Sequence, residues 1–175
     1  MIDSYSDDRT GWARFSDDER FRYRLSRVLT PSAMPRRGRE KRVVFCLLNP
    51  STADAFKLDR TVNRCVGYTR AIGGDITEVV NIFAIRSKSP KVLYVPGAEL
   101  GDDTIADDEI LAACSGAWTV IAGWGGHGAL RDRGTSVRNL LESMEIPLHY
   151  LTLNQDGNPG HPLYLPAALR PQRWS

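Results

Sequence analysis

Four apolar runs set the rhythm of the chain: Arg42-Val-Val-Phe-Cys-Leu-Leu48, Thr77-Glu-Val-Val-Asn-Ile-Phe83, Ala117-Trp-Thr-Val-Ile-Ala-Gly-Trp124 and Pro147-Leu-His-Tyr-Leu-Thr-Leu153. Nearly continuous runs rich in β-branched and aromatic residues predict strands, and the first three have the pattern of strands buried on both faces of a parallel sheet. Helical segments are predicted between them, at residues 60–72, 104–116 and 127–144. Strands alternating with helices imply βαβ crossovers, so the expected fold is α/β: a doubly wound, three-layer αβα arrangement around a four-stranded parallel sheet.

Upstream of the first run, Ser16-Asp17-Asp18-Glu19 reads as a capping box, followed by Phe21, Leu25, Val28 and Leu29 at helical spacing. This predicts an N-terminal helix over residues 17–29, ended by Pro31. Residues 31–41, rich in Pro, Ser and Arg, follow as a basic loop packed on the same domain. No repeat or low-complexity linker marks a boundary, and 175 residues fit one domain with a sizeable core.

Composition narrows the picture little, since 42% hydrophobic and 25% charged residues are ordinary for a soluble domain. No apolar stretch approaches the roughly 20 residues of a membrane helix, and the acidic N-terminus does not read as a signal peptide, so a cytoplasmic protein is expected. Cys46, Cys65 and Cys114 sit singly in apolar stretches, as core thiols do, and His127, His149 and His161 lack metal-ligand spacing. No metal or other cofactor is called for.

The formal net charge of +2 hides an uneven distribution. Basic residues gather in the segments between elements: Arg36, Arg37, Arg39, Lys41 and Arg42, then Arg86, Lys88 and Lys91, then Arg131 and Arg133, and last Arg170 and Arg173. Acidic residues collect at 3–8, 17–19 and 102–109. Such asymmetry lets one face meet a polyanion while the net charge stays small.

Two proline-stiffened segments carry the candidate chemistry, Leu48-Asn49-Pro50-Ser51-Thr52 just after the first strand and Gly160-His161-Pro162-Leu163-Tyr164-Leu165 near the C-terminus. Each places polar side chains where an open α/β sheet builds its crevice. A third, Gly123-Trp-Gly125-Gly-His-Gly128, fits the spacing G-x-G-x-x-G but follows the third strand and lacks the acidic residue a dinucleotide fingerprint places after the next strand. These glycines read better as allowing close packing and freeing backbone N–H groups for a phosphate.

In order along the chain, four segments resemble the uracil-DNA glycosylase superfamily. Leu47-Leu48-Asn49-Pro50-Ser51 is similar to its GQDPY or GINPG loop, with Asn63-Arg64 and Ala71-Ile72-Gly73 similar to the helix of the mismatch-specific branch. Glu78-Val-Val-Asn81-Ile-Phe-Ala-Ile-Arg86 resembles the strand whose Asn reads the base. Val120-Ile-Ala-Gly-Trp124-Gly125 resembles the L-L-L-W-G strand, and His161-Pro162-Leu163-Tyr164-Leu165 the H-P-S-P-L loop. The chain also looks like a bacterial family known only as a domain of unknown function, with which it shares LNPSTAD, N-L-F-A-x-R, W-G and HPL-Y signatures.

The glycosylase resemblance implies a monofunctional, monomeric DNA base glycosylase acting on uracil and on other deaminated or damaged bases in DNA, single- or double-stranded. It implies that His161 donates a hydrogen bond to the departing base, that Asn49 orients the attacking water and that Asn81 pairs with the Watson–Crick edge. Phe56 would stack on the flipped base, Leu165 beside Tyr164 would fill the gap it leaves, and Lys88-Ser89-Pro90-Lys91 with Gly125 would hold the DNA backbone. Asn49 stands where the most active branch has a carboxylate, so Asp54 or Asp59 is expected to supply the base; Ser51 replaces a Tyr that walls the pocket, which implies a roomier one. Two other readings stay open: a nucleotide-binding protein using the Gly123–Gly128 turn, and a non-catalytic nucleic-acid-binding domain.

Overall fold

A computed structural model describes residues 1–30 and 40–175. Most of the basic loop, Arg36, Arg37 and Arg39 included, lies outside the described residues. The chain forms a mixed eight-stranded sheet in the order β1-β2-β3-β5-β4-β6-β7-β8. Its four central strands, β5 (Ile76–Asn81), β4 (Arg42–Leu47), β6 (Thr119–Gly123) and β7 (Leu148–Tyr150), are mutually parallel. These are the four apolar runs, trimmed at their ends.

Burial on both faces explains why the runs are continuous. Val43, Phe45, Leu47, Val79 and Ile121 pack with Val62, Cys65 and Tyr68 of α1 (Arg60–Ala71) on one face. Val44, Cys46, Val80, Val120 and Ala122 pack with Ile110 and Ala113 of α2 (Asp103–Cys114) and Val137 and Leu141 of α3 (Arg133–Ser143) on the other. Apolar positions of both parities along these strands therefore meet helices, which is why the runs show little polar alternation. All three cysteines are buried and free. Among the described residues no helix is long and apolar enough to cross a membrane.

The N-terminal segment corrects the expectation of a helix over residues 17–29. It is a meander of β1 (Ile2–Tyr5), β2 (Gly11–Phe15) and β3 (Arg22–Val28), joined edge-on to β5 by antiparallel pairing of Arg24 with Val80 and Leu25 with Val79. Ser16-Asp17-Asp18-Glu19 caps no helix. The Ser16 hydroxyl donates to Asp18 at 2.6 Å, the Glu19 N–H donates to the Ser16 carbonyl at 3.0 Å, and Glu19 takes φ +55°, which together make the hairpin turn between β2 and β3.

In β3 the two-residue period is present but charged. Leu25 and Arg27 are buried, whereas Arg24, Ser26 and Val28 are half-buried. Arginines at inward positions disguise the alternation that hydrophobic residues would have shown. At the opposite edge the short β8 (Gln172–Arg173) pairs antiparallel with β7, so the expected four-stranded sheet is the centre of a larger mixed one.

Candidate functional site

The chain leaves the C-terminal ends of the neighbouring strands β4 and β6 toward opposite faces, to α1 after β4 and to α3 after β6. Between such strands an open α/β sheet leaves a crevice. Here the crevice is a cleft of about 700 Å³ walled by the loops that follow β4, β5, β6 and β7. Asn49, Ser51, Asp59, Lys88, Gly125, His161, Tyr164 and Leu165 of the expected site line it.

The loop after β4 is stapled to the loop after β5. The Asn49 side-chain amide donates to the carbonyls of Pro50 at 3.1 Å and Ser87 at 3.0 Å, and the Ser87 N–H donates to the Pro50 carbonyl at 2.8 Å. With its N–H groups spent on backbone, Asn49 is left its amide oxygen as an acceptor, a group suited to orienting water. Asp59 begins α1 as its N-cap, one carboxylate oxygen accepting the Val62 N–H at 2.9 Å. A carboxylate has acceptor capacity for more than that one bond, so Asp59 can also face a ligand.

His161 sits at the entry of the short 3-10 helix Pro162–Tyr164, and its Nδ1 accepts the Leu163 N–H at 3.4 Å. Accepting at Nδ1 leaves the ring proton of a neutral imidazole on Nε2. Burial pushes its pKa down to about 4, opposed by the negative charge of Asp59. His161 is therefore a neutral hydrogen-bond donor at physiological pH.

Three of the four glycines in the turn are required by close packing or by backbone conformation. A Cβ at Gly123 would press on Pro162, one at Gly128 would overlap the Trp124 indole, and Gly125 needs its φ of +72°. The Gly125 N–H donates to the Pro159 carbonyl at 2.8 Å, which fixes the turn beside the His161 loop. The segment it opens is a 3-10 stretch, Gly126–Asp132, with a kink at Leu130 and Arg131 before α3.

Other expected residues are not brought to the cleft. Asn81 ends β5 with only 4% exposure and its side-chain oxygen accepts a hydrogen bond from Arg22 Nη2 at 3.2 Å. Asp54 closes a turn, one oxygen accepting the N–H groups of Phe56 and Lys57, both at 2.8 Å, and Phe56 stands 65% exposed outside the lining. Ser89 is the N-cap of the 3-10 helix Pro90–Tyr94, where its hydroxyl accepts the Lys91 N–H at 3.3 Å; neither it nor the exposed Lys91 lines the cleft. Leu165 does line it, yet is half-buried against the α1 face of the core, and its carbonyl accepts the Tyr68 hydroxyl at 3.2 Å.

The cleft also holds residues the sequence did not single out, among them Lys57, Arg60, Asn154 and His127. His127 carries a second imidazole, its Nδ1 2.8 Å from the Tyr94 hydroxyl. Its place in the glycine turn after β6 was the signal that it would face the crevice. Arg22, fully buried below the loop after β4, had no such signal: nothing in the sequence separates it from its neighbouring arginines.

No curated protein and no solved structure matches this chain. One family profile does, over residues 22–163, a span that runs from β3 to the His161 loop and holds the cleft almost entire. The chain thus belongs to the family described as "Protein of unknown function (DUF1643)".

Proposed function

We propose that the protein is a monofunctional base glycosylase that hydrolyses the N-glycosidic bond of uracil, and of other deaminated or damaged bases, in DNA. The observation that carries this reading is the neutral His161, its Nδ1 engaged and its Nε2–H left to donate within a cleft that also holds Asn49 and Asp59. A departing base is a developing anion, and a preorganised neutral donor stabilises that charge as it forms. The α/β sheet with helices on both faces agrees with the uracil-DNA glycosylase-like fold that the sequence resemblance implies, and a cytoplasmic repair enzyme is the corresponding cellular reading.

In this mechanism the bond between C1′ and the base nitrogen breaks and its electron pair leaves with the base, whose oxygen takes the hydrogen bond from His161 Nε2. Water held by the Asn49 carbonyl oxygen adds to C1′, and its proton passes to Asp59, which can accept one where an amide cannot. That proton is then delivered to the departed base, leaving free base and an abasic sugar. Because Asn81 is committed to Arg22, the base edge is read by Asn63 and Asn154, both of which line the cleft. Ser51 leaves room beside the base, so the range extends beyond uracil.

Single-turnover incubation with a uracil-containing oligonucleotide in EDTA, followed by alkali, tests the reading. The expected product is an alkali-labile site with release of free uracil. Absence of that product with every uracil, 5-hydroxymethyluracil and hypoxanthine substrate overturns it.

A further inference from the structure

An enzyme that extracts a base from a duplex must unstack it and plug the gap. The residue the sequence offered as plug is Leu165, and it is not free to enter a helix: it is half-buried against the α1 face of the core, and its carbonyl is held by the Tyr68 hydroxyl and the Arg64 guanidinium. What stands free is aromatic. Tyr164 is 81% exposed, its ring 5.7 Å from that of His161, and Tyr94 is 52% exposed beside the cleft-lining His127.

Charge points the same way. Lys57, Arg60 and Lys88 line the cleft against Asp59, the single carboxylate among its lining residues, so this one site carries as large an excess of positive charge as the whole chain. Aromatic faces on which bases stack, set among cations that follow the phosphates, are how proteins hold single strands. We propose that the partner of the cleft is single-stranded DNA, with Tyr164 and Tyr94 as stacking platforms and Lys57, Arg60 and Lys88 on the phosphates. The choice of DNA rests on the glycosylase reading; the preference for a single strand rests on Leu165, Tyr164 and Tyr94.

Fluorescence anisotropy with a labelled, undamaged 15-residue DNA strand, its duplex, and an RNA strand of the same sequence tests this without any turnover. The expected result is single-stranded DNA bound at least about ten-fold more tightly than duplex, and affinity lowered about ten-fold by Tyr164→Ala, the scale of one lost base–aromatic stack. Since Tyr164 is exposed, its replacement leaves the fold intact, which circular dichroism checks. Duplex bound as tightly as the single strand, RNA bound more tightly than DNA, or no binding overturns the inference. The two proposals fail separately: a parent that binds single strands but releases no base loses the glycosylase reading alone, and one that releases base equally fast from duplex loses the single-strand preference alone.

Discussion

The four parallel strands at the centre of the sheet and the three antiparallel strands at its N-terminal edge are buried by opposite means. In β4, Val43, Val44, Phe45 and Cys46 are wholly inaccessible and meet only apolar neighbours from the helices. At the edge the interior is ionic: Arg24 pairs with Glu78 of β5 at 2.5 Å, and Arg14 with Glu109 of α2 at 3.0 Å. Arg22 is the extreme case, 2% exposed, with no carboxylate in ion-pair range among the described residues and with its Nε–H unpartnered.

Each region contributes to the cleft in its own way. The centre supplies strand ends, and from them the loops that bear Asn49, His127 and His161. The edge supplies support from below: Arg22 Nη1 donates to the Ala53 carbonyl at 2.8 Å, and Arg27 donates to the Asp54 carbonyl, so two guanidinium groups of β3 grip the loop between Asn49 and Asp59. Burial pulls the Arg22 pKa down to about 10, which still leaves it charged at neutral pH. A buried cation so held is costly, and the loop geometry it imposes is the gain that offsets it.

The comparison predicts the largest stability loss at the centre. Phe45→Ala should cost about 3–5 kcal/mol in chemical denaturation, because the core around it cannot collapse into the space. Arg22→Met should cost less overall, about 2–4 kcal/mol, from the unpaired Ala53 carbonyl and Asn81 amide oxygen. It should differ in kind as well: hydrogen exchange of residues 50–59 should rise more in Arg22→Met than in Phe45→Ala at matched global stability. Equal exchange in the two variants would break the distinction between a core that stabilises and an edge that shapes.

Next in size is His161→Ala, expected to lower the single-turnover rate by about 10²–10³-fold, the scale for one oxyanion donor, with the melting temperature nearly unchanged. A variant that unfolds, or that cleaves at the parental rate, would make His161 a turn residue. Gly125→Ala is expected to be milder, about 1 kcal/mol of stability, since the position needs a positive φ while its Cβ would meet only His161 at an ordinary 3.6 Å. Its activity should fall by more than that stability loss explains, because the turn abuts the His161 loop.

What the sequence disclosed follows the same division. Apolar runs such as residues 42–48 declare a strand covered on both sides, and the helices between them followed from the alternation. The meander was hidden by arginines inside it and by an acidic turn that mimics a helix cap. One signal went unread: Ser-Asp-Asp occurs at residues 6–8 and again at 16–18, and both copies fold as hairpin turns in which the Ser hydroxyl donates to the second Asp. At the cleft, Asn49 and Gly125, placed directly after strands, were legible because strand ends define the crevice, and His161 was legible from its proline-stiffened loop. Asn81 and Leu165 were not, since their commitments to Arg22 and to the α1 face arise from tertiary partners far along the chain.

The last expected effect is on pH dependence, and it isolates His161. Its folded pKa of about 4 lies below the ordinary histidine value, so between those two values the unfolded chain binds a proton that the folded chain does not. The stability contributed by the neutral ring is thus complete above about pH 6.5 and is lost as pH falls toward 4. Removal of the titrating ring in His161→Gln should make the melting temperature fall less than the parent's over that window. Catalysis should follow the same group, with a rate that holds level from pH 8 to 5 instead of dropping near 6.5 as a solvent-exposed histidine would dictate. A rate that halves near 6.5, or parallel melting curves for parent and variant, would place His161 in open solvent and remove the neutral donor on which the reading of this cleft depends.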